Sequence, residues 1–259
     1  MSRRSTIEWT NSTWNPVTGC TKVSAGCDHC YAERLSERFR GVKGNPFETG
    51  FDLTLRPERL EQPKHWRHPQ LIFVNSMSDL FHKDIPTQYI HRVFDTMEHA
   101  DWHIYQVLTK RSSLMRDFVH QRYGSLSAPP HIWLGVSIEN AEAMTRLRHL
   151  KQTNALTRFV SFEPLLGALG SLDLTDIHWV IAGGESGPGA RPVKIEWLRE
   201  LRDQCQAQNV AFFFKQWGGR TPKAGGNTLD GRQWQEYPNI KHNQMLGSAL
   251  QVAGAPSEE

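Results

Sequence analysis

Cys20, Cys27 and Cys30 are the residues of this chain best suited to chemistry, since three of its four cysteines fall within eleven consecutive positions. Gly19 and Gly26 each stand immediately before one of these cysteines. Glycine lets a loop bend sharply, and such bends can aim several sulfurs at a common point. Three thiolates on one short loop predict a metal or iron–sulfur site.

The number of thiolates helps to choose between the two kinds of site. A structural zinc ion takes four ligands, and His29 or Asp28 could supply the fourth only if the loop doubled back tightly. A 4Fe–4S cluster held by three cysteines leaves one iron open. That iron can chelate S-adenosylmethionine, which one electron from the cluster cleaves to a 5′-deoxyadenosyl radical. The loop therefore favours a cluster. Cys205, in a helical segment far along the chain, is predicted to be an ordinary buried thiol.

Short apolar runs that alternate with helical segments are the elements that must position this loop. Helical patterns follow the cysteines at residues 31–40 and recur at 86–99 and 195–208. Such alternation is typical of βαβ units and a parallel sheet. Six runs are predicted to be strands, at residues 71–74, 103–108, 132–136, 158–162, 179–182 and 210–214.

A strand at 51–55 and another entering the cysteine loop would bring the total to eight. We therefore predict a (β/α) barrel, complete or nearly complete, of the TIM-barrel type. An open doubly wound sheet is the alternative, although no G-x-G-x-x-G fingerprint follows the first strand. The barrel is expected to span residues 1–219. Residues 220–259 are expected to form a small C-terminal cap, with a hairpin turn at 229–232, and a frayed tail.

Polar side chains follow almost every predicted strand at its carboxyl end. In a parallel barrel these ends open on one face, where active sites form. The residues expected to converge there are Asn75, Ser76, Asp79, Thr109, Lys110, Ser137, Glu139, Asn140, Glu163, Glu185 and Lys215. We predict catalytic roles for Lys215, Glu185 and Glu163. A lysine at such a mouth can pair with a phosphate or a carboxylate, and the segment 109–111 opens a helix in a way that suits an anion.

The overall composition excludes some classes of function. The net charge is +3, and residues 1–70 carry 11 basic against 8 acidic side chains, so the small excess lies at the N-terminal end. A dedicated duplex-binding protein usually has a denser basic stripe. No apolar run approaches the length of a membrane span, and the chain opens without an export signal. Together with clustered cysteines, this predicts a reducing cytoplasm and no membrane partner.

Four segments carry a resemblance to a known family. They are TIEWT at residues 6–10, TWNPVTGC at 13–20, the stretch from Gly26 to Glu33 that contains Cys27, Cys30 and Tyr31, and AGGESG at 182–187. These segments resemble a phage-associated three-cysteine-motif family, which is itself similar to the radical S-adenosylmethionine superfamily. The resemblance runs from residue 6 to about 219. It implies a 4Fe–4S cluster on Cys20, Cys27 and Cys30, with S-adenosylmethionine as the second cofactor.

The loop departs from the superfamily's usual C-x3-C-x2-C pattern, because six residues separate Cys20 from Cys27. His29 takes the place of the aromatic residue that touches adenine in that superfamily, with Tyr31 just after it. Gly183, Gly184 and Glu185 follow a late strand rather than an early one, and we expect them to contact cofactor or substrate. The remaining residues predicted to bind cofactor are Asn75, Ser76, Asp79, Thr109, Lys110, Ser137 and Glu139.

These observations favour a radical S-adenosylmethionine enzyme that acts on a nucleotide or a nucleic acid base and receives electrons from a flavodoxin- or ferredoxin-like donor. Two other hypotheses stay open. One is a non-catalytic nucleic-acid-binding protein stabilised by zinc or a cluster, and the other is a different barrel enzyme with structural cysteines. Four tryptophans, Trp9, Trp14, Trp217 and Trp234, are expected to pack in the core, with stacking on bases as the alternative.

Overall fold

A single seven-stranded parallel sheet dominates the computed structural model, which describes residues 5–221 and 223–238. Its strands follow one another in the order of the sequence, as a singly wound (β/α) fold requires. They are β1 (Ser12–Trp14), β2 (Leu71–Val74), β3 (Ile104–Thr109), β4 (Ile132–Ser137), β5 (Arg158–Phe162), β6 (Trp179–Gly183) and β7 (Ala211–Gln216). The six apolar runs predicted from the sequence therefore all form strands of this sheet.

In residues 5–221 and 223–238, five α-helices and several short elements accompany the sheet. The helices are α1 (Tyr31–Glu37), α2 (Thr87–His99), α3 (Ser112–Tyr123), α4 (Thr145–Lys151) and α5 (Ile195–Ala207). Turns of 3-10 helix lie at Ala25–Cys27, Pro57–Arg59, Gln62–His65 and Ala141–Ala143. The apolar face of α2 shows why these segments fold as helices: Ile90, Val93, Phe94 and Met97, spaced three and four residues apart, are all buried. Within the described part of the chain, every helix is too short or too polar to cross a bilayer.

The sheet curls into an open half-barrel, and the prediction of a complete or nearly complete barrel needs correction. In the described residues, β1 and β7 are the two ends of the sheet and do not pair. Residues 234–236 run antiparallel along the outer edge of β7, where Phe214 N donates to Trp234 O and Glu236 N donates to Phe212 O. Backbone groups that would have paired with an eighth strand are thus already occupied.

The predicted strand at residues 51–55 is also shorter than expected and belongs elsewhere. Only Thr54–Leu55 is extended, and it pairs with Val17–Thr18 in a separate two-stranded sheet beside the cysteine loop. The hairpin predicted at 229–232 is present, since Thr228–Leu229 pairs antiparallel with Arg232–Gln233. The boundary expected at residue 219 stays a prediction, and the predicted tail beyond residue 238 lies outside the described residues.

Alternate residues of each strand fill two separate cores. One core, called the outer core, lies between the sheet and its helices. The other fills the hollow of the half-barrel. Trp179 stands at the centre of the hollow, with its ring centroid 5.2 to 6.1 Å from those of Trp9, Trp133, Phe159, Phe213 and Tyr237. Truncating such a residue costs about 3–5 kcal/mol.

Three of the four tryptophans considered for base stacking are core residues. Trp9, Trp14 and Trp234 are all buried, and Trp217 is half-buried against the outer core. Cys205 is likewise fully buried. The aromatic floor of the hollow stops below the carboxyl ends of the strands. Polar and small residues, such as Thr109, Ser137 and Gly183, end the strands above these aromatic side chains and leave the mouth of the half-barrel open.

Candidate cofactor and substrate cavity

A cavity of about 710 Å³ lies at the carboxyl ends of the strands. It is within the usual size range of pockets for small ligands and cofactors. Most of the residues predicted to form a site line its wall: Cys20, Cys27, Cys30, His29, Tyr31, Asn75, Ser76, Asp79, Thr109, Lys110, Ser137, Glu163, Gly184, Glu185 and Lys215. Glu139 and Gly183 do not line it, although Glu139 lies close to Gly26 and Gly183 lies close to Glu163, and Gly26 and Glu163 do line it. Asn140, also predicted at the mouth, caps a 3-10 helix away from the lining.

The three cysteines of the loop are free, half-buried and on the same cavity. Among residues 5–221 and 223–238, no three His, Cys, Asp or Glu side chains are already gathered as a metal site. The loop does hold thiols in the number that a cluster with one open iron requires, and they border a cavity able to receive that iron's ligand. The donor set therefore fits an iron–sulfur cluster, with further closure of the loop needed around it.

Arg111 anchors the first cysteine. Its guanidinium donates to Cys20 Sγ at 3.3 Å and to the carbonyl and hydroxyl oxygens of Thr21 at 3.0 Å. Asp79 accepts from the same guanidinium at 3.0 Å, from Thr109 Oγ1 at 2.7 Å and from the Lys110 amide at 3.1 Å. Burial raises the pKa of the Cys20 thiol, and the Arg111 cation opposes this effect. The ends of β2 and β3 thus hold the start of the loop.

Arg146 and Glu139 hold the middle of the loop. Glu139, after β4, is almost fully buried and accepts from Arg146 Nη1 at 2.8 Å, while Arg146 Nη2 donates to Ser24 Oγ at 2.8 Å. Burial acts to raise the pKa of Glu139, but Ser24 and Arg146 outweigh it and leave the pKa below its ordinary value. Gly26 packs close by, since an added Cβ would lie 3.3 Å from Glu139 Cδ and from Lys110 Cε.

Glu185 and Arg191 hold the end of the loop. Glu185, after β6, accepts from His29 Nδ1 at 2.8 Å and from Arg191 Nη2 at 2.6 Å. Arg191 Nη2 also donates to Ala25 O at 2.8 Å, and its Nη1 donates to Asp28 at 3.3 Å. Burial acts to raise the pKa of Glu185, but the hydrogen bonds from Arg191 and His29 lower it to about 2. Asp79–Arg111, Glu139–Arg146 and Glu185–Arg191 are the three anchoring pairs of the loop.

Asn75 is the most unusual polar residue of the cavity wall. It directly follows β2, has a positive φ of 60°, and is only 2 % exposed. Neither its amide oxygen nor its amide nitrogen has a hydrogen-bond partner among the described residues. A positive φ in a non-glycine residue and a buried amide without partners both cost free energy. Residues held at such cost cluster at functional sites.

Glu163, directly after β5, and Lys215, in β7, form an ion pair on the cavity wall. Lys215 Nζ lies 3.1 Å from Glu163 Oε1, and Ser161 Oγ donates to Glu163 Oε2 at 3.1 Å.

Tyr31, the first residue of α1 and the neighbour of Cys30, donates its hydroxyl hydrogen to Ser76 O at 2.5 Å. The phenol therefore links the end of the cysteine loop to the end of β2.

Arg146 is the residue of the site that the sequence analysis did not identify. Arg111 appears there only within the segment 109–111, and the structure makes Arg111 and Arg191 direct anchors of the loop. The one sequence signal for Arg146 is its position seven residues after Glu139, in the helix that follows a strand. The catalytic and cofactor-binding roles predicted for the other residues stay predictions.

Comparison with known proteins gives one family and one solved structure. A family model described as "Protein of unknown function (DUF5131)" matches residues 4–238. No curated protein matches the chain. A solved structure of a spore photoproduct lyase mutant with bound AdoMet and dinucleoside spore photoproduct matches with 11 % identity and a TM-score of 0.45. That match covers 71 % of this chain and 58 % of the lyase chain, so this chain spans less than two thirds of its length.

Proposed function

The chain belongs to DUF5131, a family of proteins of unknown function, and we propose that it is an iron–sulfur enzyme of the radical S-adenosylmethionine type. The observation that carries the proposal is the shared cavity. Three free thiols border it on the loop, and Asn75, whose amide has no partner among the described residues, lines it at the end of β2. Kinship with the phage-associated three-cysteine-motif family is part of the same proposal.

Cys20, Cys27 and Cys30 are the residues that would hold a 4Fe–4S cluster, since each can supply a thiolate and all three border the cavity. When bound, the cluster and S-adenosylmethionine together supply a one-electron cleavage that yields a 5′-deoxyadenosyl radical. We propose a flavodoxin- or ferredoxin-like protein as the electron donor and the cytoplasm as the setting, because free clustered thiols suit a reducing compartment.

The three anchoring pairs position the loop. Each pair starts from a different part of the sheet and contacts a different stretch of residues 20–29. A loop with six residues between its first two cysteines has many conformations, and fixing them in advance reduces the entropy lost on metal binding. Contacts that hold metal-binding residues in place typically change metal affinity about 10–100-fold. We therefore assign Glu185 first of all to positioning the loop, and its catalytic role stays a prediction.

Other residues of the wall would bind the organic ligands. Asn75 lines the cavity and carries one acceptor and two donors without partners among the described residues, and Ser76 lies beside it. Phe73 and Leu108 add apolar surface at the base of the cavity, where they exclude water from the bound ligand. Glu163 and Lys215 line the same cavity and are proposed to contact the substrate, a nucleotide or a nucleic acid base.

Anaerobic reconstitution with iron and sulfide tests the proposal. The wild-type protein should bind iron and sulfide, turn brown, and release 5′-deoxyadenosine from S-adenosylmethionine after reduction. Cys20→Ala, Cys27→Ala and Cys30→Ala should each lose both properties. Cys205→Ala is the matched control, because this thiol is buried in the outer core away from the cavity and should not matter for iron binding.

Two results would overturn the proposal. Protein purified anaerobically with one zinc ion and no iron would indicate the zinc-stabilised binding protein instead. A stable cluster with no 5′-deoxyadenosine would point to a redox or binding role for the same loop. Thermal unfolding of all four variants shows whether a loss of iron reflects a lost ligand or a lost fold.

A further inference from the structure

The Glu163–Lys215 pair has features that a purely structural ion pair does not need. Both residues lie at the carboxyl ends of their strands, β5 and β7, in the alternating set of positions that faces the hollow of the half-barrel. Both line the cavity. Their side chains are 13 % and 22 % exposed, so the pair is reachable from the cavity while being largely shielded from bulk water. Electrostatic and hydrogen-bond contacts are stronger in such surroundings than in water.

Both partners have hydrogen-bonding capacity left over. An ammonium group carries three donors, and among the described residues Lys215 Nζ meets only Glu163. A carboxylate accepts about four hydrogen bonds, while Glu163 is paired with the Lys215 ammonium and, among the described residues, accepts one side-chain hydrogen bond, from Ser161. The pair therefore presents a free donor beside a free acceptor, on nitrogen and oxygen atoms 3.1 Å apart.

Small residues leave room for a ligand next to the pair. Ser137, Ser161 and Gly183 occupy the neighbouring strand ends. The lower part of the hollow, by contrast, contains large aromatic side chains. A Cβ atom on Gly183 would come within 2.7 Å of Glu163 Oε1, so this position is kept open for the carboxylate. Phe73 and Leu108 supply apolar surface on the same cavity, which suits a flat ring.

We infer that Glu163 and Lys215 together recognise the polar edge of a nitrogen heterocycle in which a ring N–H or amino group stands beside a carbonyl oxygen or ring nitrogen, as in a nucleobase. The ammonium donates to the ligand's acceptor while the carboxylate accepts from its donor. A charged ligand is a poorer match, because it would compete with one partner and leave the other charge buried and unpaired. This inference rests on the proposed function only in taking the cavity as the place where substrate binds.

Nucleoside binding to the cluster-free protein tests the inference without S-adenosylmethionine cleavage. The probes are uridine, guanosine and cytidine, each compared by calorimetry with an analogue whose edge N–H groups are replaced by methyl groups. At least one unmodified nucleoside should bind about tenfold or more tightly than its methylated analogue, since methylation leaves a polar partner unpaired. Lys215→Met should remove that preference.

Lys223→Met is the matched control, because Lys223 lines the same cavity but is exposed and lies outside the pair. It should keep the preference of the wild-type protein. If no nucleoside binds the wild type, or if methylated and unmodified probes bind equally, the pair is structural and the inference fails. The comparison of probes on wild-type protein stands even if Lys215→Met does not fold. Nucleoside recognition without any cleavage of S-adenosylmethionine would overturn the proposed function alone.

Discussion

Glu185, at the end of β6, accepts a hydrogen bond of 2.8 Å from His29, which lies between two cysteines of the loop. This contact joins residues that are 156 positions apart in the sequence. It means that the Gly183–Glu185 segment, which follows a late strand, acts on the same loop that the first strand introduces. The cysteine loop, which follows β1, is therefore also held by a residue that follows β6, the second-to-last strand of the sheet.

Replacing Glu185 by Gln should destabilise the protein by about 2 kcal/mol at neutral pH, because charge-assisted hydrogen bonds are lost. Burial opposes ionisation of Glu185, but Arg191 and His29 bring its pKa down to about 2 from 4.5. A lowered folded-state pKa stabilises the fold above the unfolded-state value. That stabilisation is lost as the pH falls from about 4.5 through 2.

Urea unfolding of wild type and Glu185→Gln between neutral and acidic pH measures this effect. The difference in unfolding free energy should be constant near neutrality and should shrink steadily in the acid range. The outcome that contradicts the assignment is a difference that does not change with pH. Glu196→Gln is the control, because Glu196 lies on α5 and no ion pair or side-chain hydrogen bond is found for it among the described residues.

Replacing Asn75 by Gly should preserve or raise stability while weakening the binding of S-adenosylmethionine. Glycine adopts a φ of 60° without strain, and the change also removes a buried amide that has no partner in the described part of the chain. The gain is expected to be about 1 kcal/mol. A residue that lowers the stability of the fold in this way is expected to bind a ligand.

Thermal unfolding and equilibrium dialysis with reconstituted protein separate the two effects. Asn209→Gly is the matched control, since Asn209 also has a positive φ, of 54°, but is exposed and outside the cavity. It should gain stability and leave ligand binding unchanged. Should Asn75→Gly bind S-adenosylmethionine as tightly as the wild type, the amide has no part in the site.

Replacing Arg146 by Met should destabilise the protein by about 3–5 kcal/mol, because it leaves a buried carboxylate without its partner. Glu139 is only 1 % exposed and its partner Arg146 only 12 %. Arg116→Met removes a guanidinium paired with the exposed Asp117 and should cost less than about 1 kcal/mol. Urea denaturation of both variants gives the comparison, and equal costs would show that Glu139 does not depend on Arg146.

Replacing Gly183 by Ala should displace the Glu163 carboxylate and cost about 1–3 kcal/mol. The added Cβ would lie 2.7 Å from Glu163 Oε1 and 3.4 Å from Gln216 O. Gly167→Ala is the control, since its Cβ would meet only Asn140 Cβ at an ordinary 3.5 Å. Thermal unfolding measures the cost, and nucleoside calorimetry should show that the preference for unmodified probes is lost only in Gly183→Ala. A Gly183→Ala variant as stable as the wild type would mean that Glu163 can move aside freely.

The sequence by itself determined the elements and the inventory of the site. Six apolar runs such as 71–74 and 179–182 form strands because fully buried parallel strands need continuous apolar residues. Most of the polar residues that follow them line one cavity because parallel strands all point the same way. Three clustered cysteines indicated a cofactor class without any knowledge of the fold.

Only the tertiary structure decided how far the barrel closes and what holds the cysteine loop. Residues 234–236 pair with the edge of β7 and leave the sheet open, and no local pattern in the sequence shows where a distant segment will pair. Arg146 likewise reaches Ser24 from 122 positions away. Such contacts depend on the path of the whole chain, whereas periodicity and spacing report only on neighbours along it.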